Sequence, residues 1–197
     1  RFLALVCAAF TASAADWKHY RGPTLDGITQ EKLPPSITSR EPKRLWSIKV
    51  GTGTATVVTS GDRVYAMGHE GSDDVVRCLD AGTGREIWVH RYPQELDPKN
   101  FEGGPRATPT LDGDRLYTVS HQGDLWCLDA NTGQKLWYKH YQEDFDGDRP
   151  DWGYAGSPTV EGNLLLLDVG ADSGSTLALD KVTGKTVWKS GDDDAGY

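Results

Sequence analysis

The 197-residue sequence lacks the features that define several common classes of protein. It contains no apolar run of about 18 residues, so we expect no transmembrane segment. Its 3 cysteines are too few for a disulfide scaffold, and they form neither a haem-attachment motif nor a set with zinc-ligand spacing. Its 21 Lys and Arg are outnumbered by 29 Asp and Glu. Because no excess of cations is available to neutralise phosphates, a nucleic acid is not an expected partner.

The first residues have the composition of a secretory signal peptide. The apolar run 2–10 has the length of a signal-peptide h-region, and the small residues 12–15 form two overlapping cleavage sites. We therefore interpret residues 1–15 as a partial signal peptide, with a short buried helix as the alternative. On this interpretation the mature protein is periplasmic or secreted.

The most informative feature of the sequence is an internal repeat. Three copies of one segment align without gaps: LDAGTGREIW (79–88), LDANTGQKLW (128–137) and LDKVTGKTVW (179–188). Their tryptophans lie 49 and 51 residues apart, a period found in propeller blades. Each unit also holds four short runs of β-branched and aromatic residues separated by turn signals such as Asp112-Gly113. We predict an all-β fold, a β-propeller of four-stranded antiparallel blades, in preference to a β-sandwich or a β-solenoid.

Each copy of the repeat carries an Asp, a Gly and a Trp at fixed offsets. The three sets are Asp80, Gly84 and Trp88; Asp129, Gly133 and Trp137; and Asp180, Gly184 and Trp188. The carboxylate can accept backbone N–H bonds in the turn between the third and fourth strands, and the glycine supplies the positive φ of that turn. The tryptophan ring can then pack on the neighbouring blade. We predict that all nine residues hold blades together.

This motif resembles the repeat of the pyrroloquinoline-quinone-like (PQQ-like, quinoprotein-type) β-propellers, Ala-x-Asp-x-x-Thr-Gly-Lys-x-x-Trp. The third copy, from Ala178 to Trp188, matches the motif fully, whereas the first two copies begin with Cys78 and Cys127. The segment 16–29 is similar to the Trp-x-x-x-Arg-Gly-Pro opening of exported bacterial members. The resemblance implies a ring of seven or eight blades, of which this chain is an N-terminal fragment.

The repeat also sets the expected domain boundaries. Residues 16–42 are an N-terminal segment and residues 43–197 are an incomplete propeller. Within the propeller we expect an outer strand at 43–50, three complete blades at about 53–92, 105–141 and 154–190, and the start of the next blade at 195–197. The two cysteines of the repeat hold equivalent positions in successive blades, too far apart for a disulfide, so we expect two buried thiols.

Ligands of propellers usually lie at the mouth of the central channel, where the first strands begin. The residues just before the three first strands are Thr54, Arg106 and Tyr154, and Trp152 lies two residues before Tyr154. Arg106 could bind a carboxylate or phosphate, and Trp152 could offer a stacking face. The alternative is structural, with Arg106 paired to a loop carboxylate and Trp152 covering a blade edge. These four residues are the candidate cofactor- or ligand-binding residues.

A loop between the second and third blades contains alternating carboxylates. Asp144, Asp146 and Asp148 have oxygen ligands suited to Ca²⁺, but Gly147 is misplaced for an EF-hand loop and the required Glu is missing. We favour a solvated loop and predict no metal there.

The sequence is compatible with two functions. The resemblance implies that a dehydrogenase of this family would carry an adjacent Cys-Cys pair, a catalytic Asp and a Glu, Asn and Asp set for Ca²⁺. This chain has no Cys-Cys pair, and no such set can be assigned. We therefore predict an exported non-catalytic propeller, a binding or scaffold module for an envelope protein partner or a small ligand at the channel mouth. The alternative is a PQQ-dependent dehydrogenase that oxidises an alcohol or a sugar, with PQQ and Ca²⁺ as cofactors.

Overall fold

The computed structural model describes residues 15–32, 43–99 and 101–196. Nearly all of the expected signal peptide, part of the N-terminal segment and Tyr197 therefore lie outside the described residues. The described residues form three four-stranded antiparallel sheets, each built from four consecutive strands. The prediction of an all-β chain with four-stranded propeller blades is confirmed, and the chain forms part of a propeller.

Each blade is formed by four strands that are consecutive in the sequence. The first blade comprises β1 (Val58–Ser60), β2 (Arg63–Glu70), β3 (Asp73–Asp80) and β4 (Glu86–Pro93). The second comprises β5 (Thr110–Asp112), β6 (Arg115–Val119), β7 (Asp124–Asp129) and β8 (Lys135–His140). The third comprises β9 (Thr159–Glu161), β10 (Leu164–Ala171), β11 (Gly174–Asp180) and β12 (Thr186–Ser190). Residues 43–50, the expected outer strand, are assigned to no strand.

One helical turn interrupts the β structure. The helix α1 (Tyr141–Phe145) follows the second blade and buries Tyr141 and Phe145. The carboxylate of Asp144 accepts a hydrogen bond from the backbone N–H of His140 at 2.8 Å, which satisfies a donor at the start of the helix. Asp144, which was expected in the carboxylate-rich loop, thus lies inside a helix.

The first strands of the blades lie innermost and are linked to one another. The Thr108 hydroxyl lies 3.0 Å from that of Thr56, and the Thr108 N–H donates to Ser157 Oγ at 2.9 Å. The Thr110 hydroxyl donates to the carbonyl of Pro158 at 2.5 Å. These bonds join the first blade to the second and the second to the third, so β1, β5 and β9 face the propeller axis.

The apolar core lies between blades. One buried cluster joins the first and second blades and includes Met67, Cys78 and Leu128, while another joins the second and third and includes Cys127 and Leu177. Both cysteines are free and buried. Burial raises the pKa of the Cys127 thiol to about 12, so this side chain behaves as a small apolar group.

Each outer strand contains a β-bulge just before its tryptophan. In β4, Trp88 faces Cys78 whereas Glu86 faces Leu79, so Ile87 is the extra residue. Leu136 and Val187 hold the same position in β8 and β12. A bulge re-aims the side chains that follow it, and here it recurs directly before the ring that contacts the next blade.

Candidate functional site

The contacts between the described blades are built around Trp88 and Trp137, the tryptophans of the first two outer strands. The Trp88 Nε1–H donates to the carbonyl of Ala130 at 2.9 Å, across the boundary between the first and second blades. The ring lies flat on Gly133, whose φ is +72° and where a Cβ would lie only 2.5 Å from a ring carbon. Trp137 repeats the arrangement on the third blade, with the carbonyl of Lys181 as acceptor at 3.3 Å.

The turn that receives each ring is held by its aspartate. The Asp80 carboxylate accepts hydrogen bonds from both the hydroxyl and the backbone N–H of Thr83. Those bonds hold the pKa of Asp80 below its usual value. Asp129 binds Thr132 in the same way, and Asp180 binds Thr183. The carboxylate therefore fixes the turn that presents its glycine to the neighbouring tryptophan.

Trp46 belongs to the same system, although it was not among the residues selected from the repeat. Its Nε1–H donates to the carbonyl of Ala81 at 2.8 Å, and a Cβ on Gly84 would lie 2.6 Å from its ring. It therefore contacts the first blade as Trp88 contacts the second. The signal was present in the sequence, because Leu45-Trp46 matches the Leu136-Trp137 pair of the repeat. Trp188, in the last described outer strand, is 40% exposed.

Two of the four expected mouth residues line one cleft. Thr54 and Arg106 lie with residues 155–157 and Tyr20 around a space of about 350 Å³. The cleft opens where the first strands begin, at the end of β5 and β9 opposite their hairpin turns. The guanidinium carbon of Arg106 lies 3.8 Å from the centroid of the Phe101 ring, a cation–π contact that orients the cation.

The other two expected residues lie outside this cleft. The Tyr154 side chain is 1% exposed and packs edge-on against Tyr141, with 4.8 Å between ring centroids. Trp152 lies in the loop before it, with its ring 6.5 Å from that of Phe101. Tyr154 directly precedes Ala155, which lines the cleft, but its own side chain packs in the core between the second and third blades. Tyr20 takes part in the cleft instead, from a segment that sequence reasoning had not connected with the mouth.

A buried histidine lies behind the mouth. The carbonyl of His121 accepts the N–H of Tyr154 at 2.9 Å, and its side chain is 2% exposed. Burial, and secondly the positive charge of Arg149, lowers the pKa of His121 to about 4. The imidazole is therefore neutral at physiological pH.

Two of the three carboxylates considered for Ca²⁺ have other roles. Asp144 is paired with Lys139 at 2.7 Å and bonded to the first turn of α1. Asp146 is the C-terminal cap of that helix, with φ at +59°. Across the part of the chain that the structure describes, no group of three or more His, Cys, Asp or Glu side chains is placed to hold a metal ion.

The three blades, joined by tryptophans stacked on the Asp-x-x-Thr-Gly turns, define a β-propeller of the PQQ-like repeat type. Residues 72–196, more than half of the chain, match the family described as outer membrane protein assembly factor BamB. The chain belongs to that family, and the family resemblance inferred from the repeat motif is confirmed. No curated protein gave a significant match.

Several solved structures are similar to this chain. A europium-containing methanol dehydrogenase is 22% identical with a TM-score of 0.57, over 74% of this chain and 26% of that protein. The quinohemoprotein alcohol dehydrogenase ADHIIG from Pseudomonas putida HK5 is 25% identical with a TM-score of 0.52, over 70% and 20%. BamB from Moraxella catarrhalis is 24% identical with a TM-score of 0.44, over 72% and 36%. The chain thus spans between a fifth and about a third of these structures.

None of the described residues belongs to a helix with the length and hydropathy needed to span a bilayer.

Proposed function

We propose that this chain is part of an exported, non-catalytic propeller that binds a protein partner in the cell envelope and acts as a scaffold. Membership of the BamB family over residues 72–196 supports this function. The observation that carries the proposal is that the repeated residues and the residues of the channel mouth have different roles. The recurring residues make the contacts between the described blades, through Trp88 and Trp137, whereas the residues expected at the channel mouth differ from blade to blade. A residue that is the same in every blade would create the same site several times around the ring. A single specific site therefore needs residues that differ between blades, and the mouth has such residues, so we expect the partner to bind there.

The cleft at the mouth suits an acidic group of the partner. Arg106 is held over the Phe101 ring, and a guanidinium so oriented can donate two parallel hydrogen bonds to one carboxylate. Thr54 adds a hydroxyl on the same cleft. A carboxylate side chain of a partner, or a small carboxylate or phosphate ligand, matches this pair.

Site-specific photo-crosslinking in the complete, exported reading frame tests the proposal. A photoreactive amino acid at Thr54, in the cleft, is expected to give one discrete adduct with an envelope protein. The same amino acid at Asn131, exposed on a turn between outer strands, is the matched control and is expected to give none. Equal labelling at both positions, or no adduct at Thr54, would contradict a partner at the mouth.

The Arg106→Ala substitution is expected to abolish that adduct while leaving the fold intact. The substitution removes the cation–π contact with Phe101, worth about 1 kcal/mol, and leaves both buried clusters between the blades untouched, so the propeller is expected to stay folded. The readouts are the crosslink yield and the thermal midpoint, with Arg85→Ala, an exposed arginine on a turn, as control. If Arg106→Ala lowers the midpoint as much as a core substitution does, Arg106 is structural and the proposed contact is wrong.

The second candidate is a PQQ-dependent dehydrogenase that oxidises an alcohol or a sugar. The Arg106 cation favours it, because PQQ carries carboxylates that an arginine can bind. Arg106 lines the mouth cleft, and among the described residues no Asp or Glu side chain lines the cleft with it. The described residues also include no group of side chains that could hold Ca²⁺. The described part of the chain therefore fits the carboxylates of PQQ and offers no ligand set for its metal.

Titration calorimetry with PQQ and Ca²⁺ separates the two functions. The complete, folded protein is expected not to bind PQQ. Binding with one-to-one stoichiometry and a Kd below about 1 μM, or about −8 kcal/mol, would favour the dehydrogenase and a screen of alcohols and sugars.

A further inference from the structure

The N-terminal segment makes a β-bridge with the innermost strand of the first blade. The N–H of Trp17 donates to the carbonyl of Thr59, and the N–H of Thr59 donates to the carbonyl of Trp17, both at 2.9 Å. Thr59 faces Val64 on the other side, within the β1–β2 ladder. Trp17 therefore occupies the free edge of β1, the edge that faces the axis.

The next residue makes the equivalent contact with the next blade. The carbonyl of Lys18 accepts the N–H of Leu111 at 2.9 Å. Leu111 faces Leu116 in β5–β6 as Thr59 faces Val64 in β1–β2. Two consecutive residues of the segment thus satisfy the inward-facing N–H groups of two consecutive first strands.

Side chains extend these contacts at both ends of the segment. The Asp16 carboxylate accepts the Ser60 hydroxyl and the Gly61 N–H, both at 2.8 Å, at the hairpin end of β1. Hydrogen bonds, with the Lys18 ammonium first, hold the pKa of Asp16 at about 2. At the other end, residues 19–21 and Leu25 face residues 157–159 of the third blade across a gap of about 200 Å³.

The segment is folded into a fixed shape by its own contacts. Gly22 has φ at +74°, and a Cβ there would lie 2.6 Å from the Trp17 ring, so the chain turns back against this ring. The N–H of Leu25 donates to the carbonyl of Gly22 at 3.1 Å. A segment with this much internal structure loses less entropy when it docks than an extended chain does.

We propose that residues 16–25 are an axial strap, an internal peptide that binds the inner edges of the first two blades, faces the third blade and forms the floor of the mouth cleft. Tyr20 belongs to the strap and also lines the cleft with Thr54 and Arg106. Since Asp16 lies at the hairpin end of β1 and Tyr20 at the mouth, the strap runs along the axis between the two ends. Between the described blades the strap closes the axial side of the cleft, so a ligand reaches Thr54 and Arg106 from the mouth, as a side-chain tip or a small molecule.

Hydrogen exchange of single backbone amides tests the strap and needs no ligand, so its result is independent of the proposed function. The Trp17→Pro substitution removes the N–H that donates to Thr59. The amides of Thr59 and Leu111 are expected to exchange at least about tenfold faster in this variant, while those of Val76 and Leu125 stay protected. Thr29→Pro, the same change outside the strap, is the control and is expected to alter neither set.

The outcomes separate a strap from a segment that merely adds stability. Unchanged exchange at Thr59 and Leu111 in the Trp17→Pro variant would overturn the proposal. If that variant loses protection everywhere, Asp16→Asn decides, because it keeps the shape of the side chain, weakens its bonds at Ser60 and Gly61 and removes its ion pair with Lys18. Faster exchange confined to Gly61 and Thr59 would then support the strap, and a uniform change throughout the first blade would contradict it.

Discussion

Replacing Trp88 with alanine is expected to lower the free energy of unfolding by about 3–5 kcal/mol, because the change removes a large ring from a packed interface and leaves a cavity. Trp88 is 9% exposed and belongs to the core cluster between the first and second blades. The substitution also leaves the carbonyl of Ala130 without the indole N–H that it accepts. The measurement is urea denaturation followed by far-ultraviolet circular dichroism.

A second tryptophan provides the control for this prediction. Trp152 lies in the loop before Tyr154 and belongs to neither apolar cluster, so Trp152→Ala removes the same side chain without opening the core. Its effect is expected to be within about 1 kcal/mol of wild type. Equal losses for the two variants would show that the loss at Trp88 does not come from the blade interface.

The Gly133→Ala substitution is expected to cost about 2–4 kcal/mol, although it adds only one methyl group. One part of the loss is backbone strain, since φ at this residue is +72°. The larger part is steric, because the new Cβ would lie 2.5 Å from the Trp88 ring and the ring would have to leave its position. Denaturation midpoints and the fluorescence of the displaced indole are the measurements.

A double-mutant cycle separates strain from clash. In the Trp88→Ala background the steric part disappears, so Gly133→Ala is expected to cost only about 1–2 kcal/mol there. Gly113→Ala is the matched control, because its φ is +58° and a Cβ there would have no atom within 4 Å. Its cost in the wild-type background is expected to equal that residual strain. Additive effects of Gly133→Ala and Trp88→Ala would show that the ring and the glycine do not act together.

The sequence alone was sufficient to predict the four-stranded blade and the turn between its third and fourth strands. An Asp, a Thr and a Gly within five residues determine one turn through local hydrogen bonds, and Asp129, Thr132 and Gly133 make the expected contacts. The repeat of that turn with a tryptophan at a constant offset predicts sheets stacked in series. Periodicity therefore revealed the architecture, because each blade depends mainly on its own residues and those of its neighbours.

Which side chains line the cleft at the mouth could be learned only from the tertiary structure. Thr54, Arg106 and Tyr154 hold similar positions in the aligned repeats, yet Thr54 and Arg106 line the cleft while the Tyr154 ring is buried against Tyr141. Sequence position places the backbone of a residue at the start of a strand. The direction of its side chain depends on the space that the neighbouring blade and α1 leave open.

The binding of the N-terminal segment to the blades could also be learned only from the tertiary structure, for a different physical reason. Trp17 and Lys18 meet Thr59 and Leu111 through backbone N–H and carbonyl groups, which every residue other than proline possesses. Such a contact leaves no pattern of side chains to read. The sequence thus determined what each blade is and how blades stack, because those contacts recur and use distinctive side chains. Tertiary structure decided where the N-terminal segment binds and which residues line the cleft, because those contacts occur once and join distant parts of the chain.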